Sequence, residues 1–239
     1  LGDVYKRQLL FFYWPMLGCR YAFTSYVLAN PYYIGIFHFQ TMLRFDTYFW
    51  QAFRNTLVLS IVKLILNTGA AVIISLLLNE ITNMAFKKSV QTIIYLPHFM
   101  SWVVVAAVFK MILSVNSSGV VNGALINMGL IDNPIDFLGS SKYWTGTFFM
   151  MNVWKDTGWG TILFLATLSG ISPDLYEAAQ IDGANRFKRL IYITLPALAN
   201  TIITVFILNL AKVMNLFESV FVTQSAGTYD VSQVLQTYV

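Results

Sequence analysis

One cysteine and two histidines are too few to build a covalent or metal scaffold in a chain of 239 residues. Cys19 has no partner for an intramolecular disulfide. His38 and His98 stand far apart with no ligand spacing between them, so neither a disulfide framework nor a metal centre is expected, and no cofactor is implied. Charge is equally scarce: Asp, Glu, Lys and Arg make up 11% of the chain against 57% apolar residues, and the mean hydropathy is +0.63. So few charges cannot cover a soluble surface, and so much apolar area cannot be hidden in one core. The net charge of +4 is scattered or sits beside apolar runs, which argues against a phosphate-binding face and a nucleic-acid partner. His-Glu-x-x-His, Gly-x-Ser-x-Gly and the Walker pattern Gly-x-x-x-x-Gly-Lys-Ser/Thr are also missing. These absences weigh against an intramembrane enzyme and place any nucleotide chemistry on another chain.

What the chain does have is long apolar runs. A membrane-crossing helix needs roughly 20 mostly apolar residues, and a helix satisfies its own backbone in lipid, so the expected fold is an all-α, polytopic membrane helix bundle. Five spans are predicted. The first, 9–27, is short and broken by Pro15, Gly18 and Arg20; the others cover 49–78, 92–113 with Pro97 near its start, 143–168 and 197–222. Residues 29–48 read as an outer loop with an interfacial segment, 79–91 as a short inner turn, and 114–142 as an outer loop with a short amphipathic helix near 121–128. The opening octapeptide, 1–8, reads as a non-native or cytoplasmic lead-in outside the 9–222 transmembrane domain. Residues 223–239 read as an outer segment cut short before a last helix.

Positive charges retained on the cytoplasmic side set the orientation. Lys6, Arg7, Lys87, Lys88, Arg186, Lys188 and Arg189 fall on one side; Arg20, Arg44 and Lys142, with Arg54 at the margin, fall on the other. The first set is expected inside, which places 169–196 in the cytoplasm.

That segment is a polar, basic island between two apolar runs. Ser172-Pro173-Asp174 is a strong helix start: a capping hydroxyl, a proline suited to the first helical position, and an acid at the positive end of the helix dipole. Gly183 should end this helix in a left-handed conformation. A second helix should run from 184 or 185 toward Pro196, which is expected to bend or break it. Ala178 and Ala179 allow close approach by another surface, and Glu177 offers that surface a carboxylate. On residue preferences alone this is also an ordinary amphipathic hairpin with a solvated charged face.

The pattern Glu177-Ala-Ala, then Asp182-Gly183-Ala184, then Ile193-Thr-Leu-Pro196 resembles the coupling loop of the membrane permeases of binding-protein-dependent ABC importers (the MalF/MalG-like family). Arg54-Asn-Thr56, the stretch from Gln91 to Trp102, and Gly158-Trp-Gly160 followed by Leu168-Ser-Gly170 look like the sugar-permease branch that includes LplB-type proteins. The resemblance implies a type I importer fold with six core helices, of which this chain would hold five. It implies a bacterial plasma-membrane permease that does not itself hydrolyse ATP and that moves sugars or oligosaccharides by alternating access. Its partners would be a second permease, ABC ATPase subunits and an extracytoplasmic solute-binding protein, in the lipid bilayer. The loop residues Glu177, Ala178, Ala179, Asp182, Gly183, Ala184 and Pro196 would engage the ATPase. The competing reading is an ion-coupled secondary transporter, which should show an inverted repeat and broken helices around an ion site.

Ionisable groups within the spans are the remaining candidates. Lys110 can snorkel to the surface, and Lys63 suits either a pairing role or the bundle interior. Lys155 and Asp156, beside Trp154, Trp159, Gly158 and Gly160, suit sugar recognition, in which rings cover C–H faces and charged groups meet hydroxyls; they equally suit a buried salt bridge with aromatic packing. Asn209, Lys212, Asn215 and Glu218, spaced by three, form a slanted row that could line a passage or serve pairing, for instance Lys212 with Glu218.

Overall fold

Two stretches of the chain break the helical backbone where the sequence supplies a new start signal, and these breaks shape the site. A computed structural model describes residues 2–25, 32–116, 119–211 and 213–239. The chain divides into two units, Leu1–Trp50 and Gln51–Val239. In the first, a helical run over 2–23 passes through Pro15, just after a wide turn at Leu9–Tyr13 in which the Trp14 amide reaches back to the Leu9 carbonyl. The run tightens to a 3₁₀ helix at Leu17–Phe23. A single bridge pairs Thr24 with Tyr33, and helix α1 follows at Phe37–Phe45.

The 33-residue α2, Thr47–Asn79, spans about 50 Å at 1.5 Å per residue. Asn83 caps the next helix, accepting from the amides of Ala85 and Phe86, so α3, Met84–Tyr95, begins earlier than the expected third span. That span is not continuous. Pro97 sits in a single 3₁₀ turn, Leu96–Phe99, Ser101 caps a new helix α4, Trp102–Ile112, and the two arms are bent by 106°. The short helix expected in the outer loop is α5, Val120–Asn127, ended by Gly129 at φ +67°.

Helix α6, Ser141–Ser169, is the central post. It contributes Phe164, Leu165 and Leu168 to one apolar cluster with Ala71, Leu78, Leu198 and Val205. Trp144 and Phe148 join a second cluster with Leu59, Leu216, Val220 and Val234, and Met151 joins a third with Trp102, Val105 and Ala106. Several of its polar side chains donate to its own carbonyls: Asn152 to Phe148, Thr147 to Tyr143 and Thr161 to Gly158. A helix surrounded by protein can carry such groups without facing lipid with them. Two described helices are long and apolar enough to cross a membrane, α2 and Arg186–Leu210, or three if the bent pair is one span. The 29-residue α6, about 43 Å long, is sufficient in length but too polar to meet that test.

Pro173–Ile181 forms α7 and Arg186–Arg189 forms α8. Pro196 does not break the helix; it distorts the turn before it. A wide turn at Leu190–Thr194, in which the Leu195 amide reaches back to the Leu190 carbonyl, absorbs the missing proline donor, and the helix continues as α9, Leu195–Leu210. The fifth span therefore runs over Arg186–Leu210 rather than 197–222, and α10, Phe217–Phe221, is a separate short helix. The polar end of the chain is folded against α2 and α6. Asn55 donates to the carbonyls of Asp230 and Gln233, the Leu235 amide donates to Thr56, and the Trp144 indole donates to Thr223.

Candidate functional site

Helices α2, α6 and α9, with the Leu96–Phe99 turn, enclose a cavity of about 420 Å³. The residues α2 sends into it, Ser60, Lys63, Leu64, Asn67, Thr68 and Ala71, recur at three and four and so share one face of that helix. Opposite stand Asp156, Trp159, Gly160 and Phe164 of α6, while α9 and the residues after it add Val205, Asn209, Val213, Asn215 and Leu216. His98 enters from the turn that Pro97 creates. Three of the polar atoms, Asn67 Oδ1, Thr68 Oγ1 and His98 Nδ1, are buried and have no hydrogen-bond partner among the described residues. An unpaired buried polar group costs about 1–3 kcal/mol, so these atoms call for a hydroxylated ligand or water.

The sequence candidates separate in three dimensions. Asp156 faces the cavity and pairs with His98 (Nδ1–Oδ1 3.4 Å). Its neighbour Lys155 is buried and points away, donating to the His98 carbonyl at 2.8 Å with its ammonium 5.7 Å from the Trp102 ring. Lys155 thus supports the turn and stands outside the cavity lining. Trp154 also stands outside it, meeting Phe109 edge-on at 5.4 Å, and Trp159 is the indole that faces the cavity. Asn209 and Asn215 both line the cavity, but the expected helical row is lost because α9 ends at Leu210. Glu218 lies exposed at the start of α10 and outside the lining, and Lys212 lies outside the described residues.

Sequence reading passed over Ser60, Asn67, Thr68 and His98 as site residues. The spacing of Ser60, Lys63 and Asn67 on an apolar helix was a usable signal; the position of His98 depended on a bend that composition does not reveal.

The 169–196 loop has the local geometry its residues dictate. Ser172 accepts from the Asp174 amide at 3.3 Å, and Gly183 adopts φ +76°. The Ala184 amide then reaches the Ala179 carbonyl at 2.8 Å and that of Gly183 reaches Gln180 at 3.1 Å, the paired bonds that close a helix over a left-handed residue. Asn185 caps the next helix through the Lys188 amide at 2.9 Å. Glu177, Ala178, Asp182 and Gly183 are exposed, and Ala179 and Ala184 half-buried. Leu175, Ile181 and Phe187 are exposed beside them, Ile181 to 87%. Tyr176, unremarked in the sequence, ties α7 to the long helix through a 3.0 Å hydrogen bond to Thr194, whose side chain is buried.

Comparison with known proteins agrees with this architecture. The family described as "Binding-protein-dependent transport system inner membrane component" matches residues 67–231, more than half of the chain. The chain is 38% identical to Protein LplB of Bacillus subtilis (strain 168), over 97% of this chain and 73% of that protein. It is 36% identical to the polygalacturonan/rhamnogalacturonan transport system permease protein YteP of the same organism, over 97% and 72%. Among solved structures it superposes with a TM-score of 0.88 and 34% identity on a chain of a bacterial alginate ABC transporter in complex with an alginate pentasaccharide-bound periplasmic protein, covering 99% of this chain and 78% of that one. With this the ion-coupled carrier reading loses its support, and the chain belongs to the inner-membrane components of binding-protein-dependent transport systems, the permease subunits of ABC importers, whose ATP is hydrolysed by a separate subunit.

Proposed function

We propose that this chain is the permease of an importer for sugars or oligosaccharides, working by alternating access, with the 169–196 loop docked in the cytoplasm on an ABC ATPase. The observation that carries the reading is a physical connection. One helix, Arg186–Leu210, about 37 Å long, has the exposed loop at one end and the cavity-lining Asn209 at the other. A displacement imposed on the loop is carried along a rigid rod to the cavity wall. Tyr176 fastens α7 to that rod, so α7 moves with it.

On the docking surface, Glu177 supplies a charge for a basic partner residue, and Leu175, Ile181 and Phe187 supply apolar area for burial. In the cavity, Asn67, Thr68, Asn209, Asn215 and Asp156 supply the amide, hydroxyl and carboxylate groups that recognise sugar hydroxyls, and Trp159 supplies an apolar face. The relatives whose names state a cargo include permeases of polygalacturonan/rhamnogalacturonan, lactose and arabinooligosaccharide transport systems, which supports the sugar assignment. A second permease would complete the passage, and an extracytoplasmic solute-binding protein would deliver the cargo.

The test is to purify the tagged chain from its native membrane in mild detergent, wild type beside Glu177→Lys, and to identify what accompanies it by mass. A Walker-motif ATPase and a second permease should accompany the wild type, with the ATPase lost from the variant. A variant that retains its ATPase and full uptake refutes the docking role.

A further inference from the structure

We infer that the Trp159 indole is a stacking platform for a sugar ring, covered by His98, which the substrate must displace; this rests on the sugar-importer reading above. The His98 imidazole lies flat on the indole, with ring centroids 4.9 Å apart and planes 9° from parallel. A pyranose ring would stack on the same face through its C–H bonds. Imidazole and sugar therefore compete for one surface.

The way His98 is held makes it a displaceable cover. Its ring is held by the Trp159 stack and by Phe99 edge-on at 5.8 Å, and its Nδ1 lies 3.4 Å from the Asp156 carboxylate without forming a hydrogen bond. Its backbone is fixed separately, by the Lys155 ammonium on its carbonyl at 2.8 Å. The imidazole can therefore leave while the Leu96–Phe99 turn stays in place. Its departure frees two things together: the apolar face of Trp159 and an acceptor oxygen of Asp156. A sugar replaces both lost interactions, with a C–H face for the ring and a hydroxyl for the carboxylate. A small ion replaces neither, so the cover discriminates in favour of a carbohydrate and is a specificity determinant of the cavity. Phe99, edge-on to Trp159 at 6.3 Å, bounds the platform at its rim.

The experiment uses the membrane complex purified through a tag on this chain. Equilibrium binding of a radiolabelled trigalacturonide, an alginate trisaccharide and an arabinotriose is measured without ATP or solute-binding protein, and uptake of each is measured in proteoliposomes with both restored. Removal of an aromatic pair of this kind should tighten binding of the accepted probe roughly two- to twelvefold in His98→Ala. Trp159→Ala should weaken it, and the gain from His98→Ala should be smaller in the Trp159→Ala background, because only the share that comes from Asp156 remains. Weaker binding in His98→Ala, or a His98→Ala gain undiminished without Trp159, overturns the inference. To guard against a folding defect, His98→Cys in a Cys19→Ser background is labelled with bimane, whose fluorescence a contacting indole quenches. Saturating probe should relieve the quench, and an unchanged signal during active uptake overturns the cover. A wild-type importer that takes up none of the three probes defeats the sugar reading and this inference with it, whereas wild-type uptake with failed variant shifts defeats the cover alone.

Discussion

Alanine at Gly158 is expected to destabilise the bundle by about 2 kcal/mol, although glycine is the poorest non-proline residue inside a helix. Three glycines of α6 differ in what an added methyl group would meet. At Gly146 nothing lies within 4 Å, at Gly160 the methyl of Ala71 lies at 2.9 Å, and at Gly158 the new carbon would overlap the Ile94 carbonyl oxygen and approach its carbon to 2.7 Å. Each substitution gains about 1 kcal/mol of helix propensity. Gly146→Ala keeps that gain. Gly160→Ala meets the β-carbon of Ala71, which is fixed to its own backbone, so an overpacking cost of about 1–2 kcal/mol outweighs the gain and leaves a net loss of up to about 1. Gly158→Ala meets backbone, which cannot rotate aside, so the overpacking cost reaches about 3 kcal/mol, the upper end of its usual range, and leaves a net loss of about 2. Over a chain of this length, that lowers the midpoint of thermal unfolding by roughly 4–8 °C and raises it by roughly 2–4 °C for Gly146→Ala. The assay is a tryptophan-fluorescence melt of the three detergent-purified variants. A Gly158→Ala midpoint at or above wild type, or a Gly146→Ala loss equal to it, refutes the contact between α6 and Ile94.

The loop offers two further tests. Gly183→Val places a branched residue at φ +76°, where an L side chain costs about 1–2 kcal/mol; uptake should fall while the amount of chain in the membrane holds, and undiminished uptake would count against the turn. Tyr176→Phe removes only the hydroxyl bonded to Thr194, worth about 0.5–1.5 kcal/mol. The ATPase should still co-purify, but sugar uptake per ATP hydrolysed should drop, and unaltered stoichiometry would show that α7 does not act through that bond.

Local chemistry was legible in the sequence because its causes are local. Ser172, Pro173 and Gly183 define α7 by capping, φ preference and left-handed tolerance, and each does in the structure what its type predicts. The loop could therefore be read residue by residue. The cavity could not. Adjacent residues on a helix point about 100° apart, so Lys155 and Asp156, indistinguishable as a charged pair in the sequence, take unrelated roles. Trp154 and Trp159 exchange parts for the same reason. Hydropathy misjudges α6 in turn, because its neighbours are protein, and its threonines and Asn152 bond to its own carbonyls.

The two prolines of the membrane helices show why a residue type alone does not decide a fold. Pro97 and Pro196 both lack the donor that a helix interior requires. After Pro97 the chain meets Ser101, whose side chain accepts from the Val104 amide at 3.3 Å; a new helix can start there, and a 106° bend is stable. After Pro196 comes Ala-Leu-Ala-Asn200, a capping type at the same offset of four, yet no helix starts there and α9 runs on to Leu210. The strain is instead absorbed one turn earlier, in the wide turn at Leu190–Thr194, and the rod stays whole. The consequences for transport are opposite and complementary. The break at Pro97 turns His98 into the cavity, where it covers Trp159, and the continuity at Pro196 keeps the loop mechanically joined to Asn209. A capping type beyond the proline therefore does not separate hinge from rod; the surroundings do, since at the bend Lys155 takes the His98 carbonyl and in the rod the turn at Leu190–Thr194 takes up the missing donor. Ser101→Ala, which removes the cap at the bend, should cost about 1 kcal/mol of stability in a thermal melt, and an unchanged midpoint would show that the cap does not hold the bend.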